Sequence, residues 1–304
     1  MNNIISAIAV FCYFLIAFSG AVSAHDSPPK VTFLGTTSLA FDDGTSTILI
    51  DGFCSRPPFS DLLKGKVQTN KGAVDRCLRI GAIEDVAAIF VAHSHYDHLL
   101  DVGYLAEKTK AKVYGSLSTR AVLRGQYENF KKVAHGQVEE IGHAQVRIFE
   151  TAHSVPALYK GAITRPIAGR QRASRYRLGK NYSFFISYGH DPRFAALVVP
   201  SAGKVGETFR GLKANTVFLS IGMLGWRPSK EIEAYWNATV REVRAKNVYL
   251  IHWDDFRIPL TEPLRKMPFP PDRIDTALRT IKRLGERDRI NVRLPRAFEE
   301  FILK

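Results

Sequence analysis

A short apolar strand that runs straight into four metal-binding side chains constrains this chain more than any other feature. Residues 86–92 are apolar and bounded, and His93-Ser94-His95-Tyr96-Asp97-His98 follows them. Side chains two apart on an extended strand point the same way, so His93 and His95 can reach one ion together. The spacing of Leu99, Val102, Leu105 and Ala106 then predicts a helix, at whose start Asp97 and His98 face a second ion beside the first. Imidazole and carboxylate donors suit zinc, with manganese or iron as alternatives, and one or two ions can be held. Unrelated surface histidines are the competing reading. Three His and one Asp, all directly after a buried strand, argue against it.

The surrounding pattern is strands first, with helices interleaved. Residues 31–41 and 45–50 read as a hairpin around Asp42-Asp43-Gly44, and residues 53–73 as a loop. Strands are expected at 112–114, 131–134, 137–141 and 145–151, with a helix over 116–123 capped at Ser116 or Ser118. A second hairpin joins 182–188 to 194–199. Beyond it the pattern predicts helices at 205–212, 229–245 and 274–284 and strands at 216–221 and 248–251. This order is compatible with two packed sheets covered by helices on the outside.

The histidine-rich segment resembles the His-x-His-x-Asp-His signature of the metallo-β-lactamase-fold superfamily of metal-dependent hydrolases. Phe33-Leu34-Gly35-Thr36-Thr37-Ser38-Leu39 and Ile48-Leu49-Ile50-Asp51-Gly52 resemble its opening hairpin. Thr151-Ala152-His153-Ser154 resembles the strand end that supplies the third histidine of the first metal. Val248-Tyr249-Leu250-Ile251-His252-Trp253-Asp254 resembles the strand that ends in the last metal histidine. The resemblance covers roughly residues 31–256 and implies an α/β (α+β) fold, a four-layer αββα sandwich with the site at one edge between the sheets. It implies that His93, His95 and His153 hold the first metal, and that Asp97, His98 and His252 hold the second. His135, His143 and His190 lack this context and read as ordinary turn or surface residues.

One position departs from the family. Ser201, in Pro200-Ser201-Ala202-Gly203, stands where a bridging Asp is usual. A hydroxyl is a poor metal ligand and brings no negative charge, so the second site is expected to be weaker or the protein to run on one ion. Asp254 or Asp255 is the candidate to compensate.

The chain begins differently. Residues 4–17 are apolar and uncharged, and Ala21-Val22-Ser23-Ala24 follows shortly after, as in a secretory signal peptide cleaved after Ala24. A retained membrane anchor is the alternative, but the run is shorter than the ~20 residues that span a bilayer. The expected organisation is a signal peptide over 1–24, a linker over 25–30 and one hydrolase domain over 31–304, with a periplasmic or secreted location. Cleavage removes Cys12 and leaves Cys54 and Cys77, a pair that suggests a disulfide in an exported protein.

Lys and Arg number 43 against 29 Asp and Glu, a formal charge of +14 with none of it in the signal segment. Such an excess favours anionic partners: a small-molecule or lipid-like anionic substrate, and peripheral association with an anionic membrane. No nucleic-acid-binding module is visible, so no specific nucleic acid is expected. Arg165, Arg170, Arg172, Arg175 and Arg177 crowd one connection, which either overhangs the active site to grip an anion or is a solvated basic loop. Trp253, beside His252, is expected to wall the site.

The resemblance implies an exported metal-dependent hydrolase in which hydroxide generated at the metal attacks an ester, lactone or phosphodiester. Asp97 is the candidate catalytic base. A non-catalytic exported metal-binding or envelope protein is the alternative, and a β-lactamase a minor one.

Overall fold

The computed structural model describes residues 28–167 and 169–304. The expected signal peptide, its cleavage site after Ala24 and the start of the 25–30 linker lie outside the described residues. The chain begins with β1 (Lys30–Phe33), β2 (Leu39–Asp42) and β3 (Thr47–Ile50), then α1 (Phe59–Leu63) and α2 (Lys71–Ile80). β4 (Val86–Phe90), α3 (Tyr96–Leu99), α4 (Val102–Thr109), β5 (Lys112–Gly115), α5 (Leu117–Leu123) and β6 (Phe130–Lys132) complete the first half. The second half holds β7 (Val138–Ile141), β8 (Ala144–Glu150), β9 (Tyr182–Tyr188), β10 (Ala195–Val199), β11 (Thr216–Ser220), α6 (Ser229–Trp236) and β12 (Asn247–Ile251). It ends with α7 (Ile274–Asp288), β13 (Asn291–Arg293) and β14 (Glu300–Ile302).

Two sheets of seven strands result, ordered β14-β1-β2-β3-β4-β5-β6 and β13-β12-β11-β10-β9-β8-β7. β4 shows why the layers form. Ala88 and Phe90 enter the core between the sheets, while Ile89 and Val91 enter the core beneath the first helical layer. Alternate residues face opposite sides of a strand, so a strand buried on both faces must read as one apolar run. On the other side, Leu197, Val217 and Leu250 meet Trp236 of α6 and Ile281 of α7 in a third core. The expected αββα sandwich is therefore the observed architecture.

Parallel pairing decides where the site sits. β3, β4 and β5 run parallel, as do β10, β11 and β12. Their C-terminal ends and the β8–β9 connection gather at one edge, where Tyr182 N donates to Ala92 O (2.9 Å) and His252 N to Thr36 O (2.6 Å).

Several expectations change. The run over 31–41 is two strands, because Gly35 (φ +86°) and Thr36 (φ +54°) turn the chain and Leu34 N donates to Ser38 O. This turn buries Thr36, Thr37 and Ser38 at the functional edge. Residues 53–73 are not all loop: they contain α1, which buries no residue, and Asn70 caps the start of α2 by accepting from Ala73 N at 3.1 Å. Val74, Cys77 and Leu78 give α2 its buried face. Residues 205–212 form turns rather than a helix, since Gly206 (φ +53°) and Gly211 (φ +80°) take left-handed backbone. The helix expected over 229–245 is α6 followed by one π-helical stretch, Asn237–Arg241. Cys54 and Cys77 are bridged, with Cα atoms 6.1 Å apart, which ties the loop after β3 to α2. Among the described residues, no helix is long and apolar enough to cross a membrane.

Candidate metal centre

The end of β4 and the single turn of α3 place the four motif side chains at the edge. Leu99 N donates to His95 O, so the chain bends into a helix directly after the second histidine. His93, His95, Asp97 and His98 are all buried. His153 arrives from the connection after β8 and His252, in left-handed backbone (φ +56°), from the end of β12. All six residues expected from the sequence converge. Their donor atoms form two groups, His93 with His95 and His153, and Asp97 with His98 and His252, each within 4.8 Å. The His93 and His98 rings lie 3.8 Å apart, so the groups are adjacent.

Neighbouring acceptors decide which ring nitrogen faces inward. His95 Nε2 donates to the Leu158 carbonyl (2.9 Å), leaving Nδ1 free, and Nδ1 faces His93 Nε2 at 3.0 Å. His153 Nδ1 donates to Ser154 O (2.8 Å), leaving Nε2. His98 Nδ1 donates to Asp51 Oδ2 (2.7 Å), leaving Nε2 buried without a hydrogen-bond partner. Metal-bound histidines use this arrangement: the second ring nitrogen is satisfied by the protein and the first is aimed at the ion. Asp97 Oδ2 lies 3.3 Å from His252 Nε2 and 3.6 Å from His98 Nε2. Two nitrogens on a tetrahedral ion with bonds of about 2 Å stand ~3.3 Å apart, so these separations fit a metal such as zinc.

Charge states in the first group agree with ligation, whereas the carboxylates around His98 draw it toward the protonated form, which cannot bind a metal. Burial, reinforced by the neighbouring imidazoles, holds His93 well below its ordinary range. Burial and His95 hold His153 at about 4, so both are neutral donors at neutral pH. Burial opposes the charge on Asp97, but His98 and His252 outweigh it and keep the carboxyl ionised. Burial also works against charge on His98, where Asp51 and Asp97 prevail and raise it.

Sequence reasoning passed over the supports. Asp51 Oδ2 also accepts from Thr37 Oγ1 (2.6 Å), and Oδ1 accepts from Ala92 N (2.8 Å), so one buried carboxylate joins three loops at the strand ends. Its place directly after β3 was the available signal. Asp101 accepts from Cys54 N (2.8 Å), Ser55 N (2.7 Å) and Ser55 Oγ (2.5 Å), holding the loop after β3 against α3 and α4. Burial outweighs these bonds and raises its carboxyl to about 6.

Ser201 has another use. Its hydroxyl accepts from Ser154 N (3.0 Å) and steadies the turn behind His153. The turn approaches so closely that a Cβ on Gly203 would lie 1.7 Å from Ala152 O, which only glycine avoids. Gly222 is required in the same way, 2.7 Å from His252 Nδ1.

Neither Asp254 nor Asp255 replaces the missing carboxylate. Asp254 is spent on a fully buried pair with Arg56 (2.6 Å) and on Thr36 N (2.9 Å), and Asp255 pairs with Arg257 (2.6 Å). Trp253 does not wall the site. It is buried in the core beneath α6 and α7, and Phe256, 5.8 Å from the His252 ring, stands there instead. The arginine connection is tied to the loop before α2. Gln171 and Val67 form an antiparallel bridge, Arg172 lies over Gly65, and Arg170 lines a cleft of about 470 Å³ with Lys66 and Lys71. His143 pairs with Asp43 and His135 packs on Phe149, both away from the metal groups.

Comparison with known proteins agrees with this geometry. The model of the family described as the beta-lactamase superfamily domain matches residues 47–253. A metal-dependent hydrolase of Pyrococcus furiosus is 29% identical over 121 residues, 38% of this chain and 46% of that protein. The chain spans about half the length of the curated relatives it matches. Among solved structures, a metallo hydrolase from Ignicoccus hospitalis is similar with a TM-score of 0.54 at 15% identity, covering 91% of this chain and 100% of the other. The metallo-beta-lactamase fold protein YhfI from Bacillus subtilis is similar with a TM-score of 0.55 at 15% identity, covering 90% and 100%. At such identities these structures speak for the fold alone.

Proposed function

Because the chain belongs to the metallo-β-lactamase superfamily, we propose that it is an exported metal-dependent hydrolase of anionic esters or phosphodiesters. The observation that carries this reading is the convergence of six donor side chains from both halves of the fold into two adjacent groups of three. His93, His95 and His153 would hold one ion, and Asp97, His98 and His252 a second. Zinc, or manganese or iron in its place, would supply a Lewis acid that polarises the scissile group and makes water nucleophilic at neutral pH.

The protein's own side chains do the rest. Asp97, whose carboxyl His98 and His252 hold below its ordinary range, is buried beside the partly exposed His252, where it could hold an ion or take a proton from water. Phe256 and Tyr96, with ring centroids 6.2 Å apart, close one wall beneath His252. Tyr159, with its ring 6.3 Å from that of His95, closes another. The Cys54–Cys77 bridge supports an oxidising compartment, hence export to the periplasm or beyond. The excess of 43 basic over 29 acidic residues supports an anionic substrate.

Metal stoichiometry on protein purified without added metal, followed by activity on an ester and phosphodiester panel as metal is restored, tests the reading. Turnover that tracks metal content is expected. Tight metal binding with no turnover of any substrate would favour a non-catalytic metal-binding protein. Asp97→Asn refines the assignment: it should lower kcat by about 10²–10⁴ while the first metal stays bound, as for loss of a general base. Equal loss of both metals would make Asp97 a ligand only.

A further inference from the structure

Six of the eleven large apolar side chains that stay exposed among the described residues fall in pairs on loops that leave strand ends. Phe59 and Leu63 (53% and 71% exposed) lie on α1 in the loop after β3. Leu158 and Tyr159 (64% and 41%) lie in the connection after β8, whose Leu158 carbonyl holds His95. Trp226 and Phe269 (40% and 65%) lie in the loops after β11 and β12. All three pairs therefore project from the edge that carries the metal groups. The turns at the opposite edge, around residues 43–46, 142–143 and 189–191, present polar tips.

Cations are interleaved with these apolar tips. The Arg273 guanidinium lies 4.2 Å from the Trp226 ring centroid and 5.7 Å from that of Phe269. Lys64 follows Leu63 and Lys160 follows Tyr159, both exposed. A soluble protein seldom leaves apolar side chains clustered around one mouth without a partner for them. Aromatic and aliphatic tips mixed with Arg and Lys match a boundary that is apolar inside and negatively charged at its surface. Trp and Tyr favour the headgroup level, and basic side chains gain about 1 kcal/mol each near anionic headgroups.

We propose that the metal-bearing edge docks on an anionic lipid surface and draws its substrate from it. The loops would enter only the headgroup and upper acyl region, with the metal groups opening toward the lipid. Docking depends on surface chemistry alone. That the lipid carries the scissile ester rests on the hydrolase reading above.

Co-sedimentation of the full chain with phosphatidylcholine vesicles, with and without phosphatidylglycerol, tests the docking. Binding is expected to the phosphatidylglycerol vesicles, weakened by salt. The combined variant Leu63→Ser, Leu158→Ser, Phe269→Ser should weaken it at least ~10-fold, since each side chain loses apolar burial. Arg244→Gln with Lys246→Gln, at the far ends of the strands, should change it by no more than about 2-fold, because charge there lies more than a Debye length from the lipid. If the triple variant fails to melt like the parent, the three single variants replace it, each expected to weaken binding. Absence of binding to either vesicle, equal binding to both, or a far-edge effect as large as the triple variant's would overturn the proposal. Hydrolysis of a soluble short-chain ester separates the two readings. Docking without turnover sinks the hydrolase and leaves the lipid surface, and turnover without docking does the reverse.

Discussion

The two candidate metal groups use different supports, and the contrast shows how equal numbers of donors can rest on unequal scaffolds. His93, His95 and His153 offer three imidazoles. Two of them owe their orientation to main-chain carbonyls of a surface connection, Leu158 O and Ser154 O. Ser201 steadies that connection through a single bond to Ser154 N. The second group is anchored in the sheets. Asp51 orients His98, Thr36 O receives His252 N, and the buried Arg56–Asp254 pair locks Thr36 in turn. Yet Asp97 is its single carboxylate, and His252 is partly open to solvent. The first group offers three imidazoles on the looser support; the second offers two imidazoles and one carboxylate on the firmer support.

The largest effect should come from the first group itself. His95→Ala removes a ligand that no neighbour replaces, and kcat/KM should fall by about 10³ or more, several kcal/mol of lost transition-state stabilisation. Activity surviving that change would mean that the second group works alone.

Changing the supports should separate the groups. Asp51→Asn keeps the shape but loses the charge that orients His98, and second-metal affinity should drop by about 10–100-fold with the first metal untouched. Ser201→Ala should instead act on the loop side, costing about 1 kcal/mol for the lost bond and weakening the first metal more than the second. Metal titration of both variants by calorimetry checks the pair; the same ion weakened in both would erase the distinction.

The smallest effect concerns Asp101, which braces the loop after β3. Its folded pKa of about 6 lies above the ordinary 3.8 because burial disfavours the charge. A carboxyl raised in this way contributes stability that is fully present below its unfolded pKa and is lost as pH rises through the folded one. An asparagine mimics the protonated acid in part. In the metal-free protein, Asp101→Asn should therefore cost more in Tm near pH 4 than near pH 7, by about a few degrees. An identical cost at both pH values would mean that Asp101 is already ionised when folded.

Much of the site could be read from local pattern. The apolar strand before His93, the two-residue step to His95 and the helical spacing after His98 are short-range features, and they placed the first four donors. His153 and His252 were legible through the family resemblance, which places a metal histidine just after the strands that became β8 and β12. Positions where glycine or polar residues bend the chain were less legible: 31–41 reads as one strand until Gly35 and Thr36 turn it, and 205–212 reads as a helix until its glycines adopt left-handed backbone. The supports were hidden for a different reason. Thr36 and Asp254 stand 218 residues apart, Arg56 and Asp254 198, and no periodicity reports a pairing across such distances.

By itself, then, the sequence determined the chemistry of the donors and the strand ends that carry them, because both follow from residue type and local backbone geometry. Which nitrogens of His95, His98 and His153 the protein leaves unpaired, what Ser201 and Asp254 bond to, and the gathering of apolar tips around one mouth were decided only by the tertiary structure. Each depends on groups brought together from distant parts of the chain by sheet pairing and layer packing, and the energy that fixes them exists only once those layers meet.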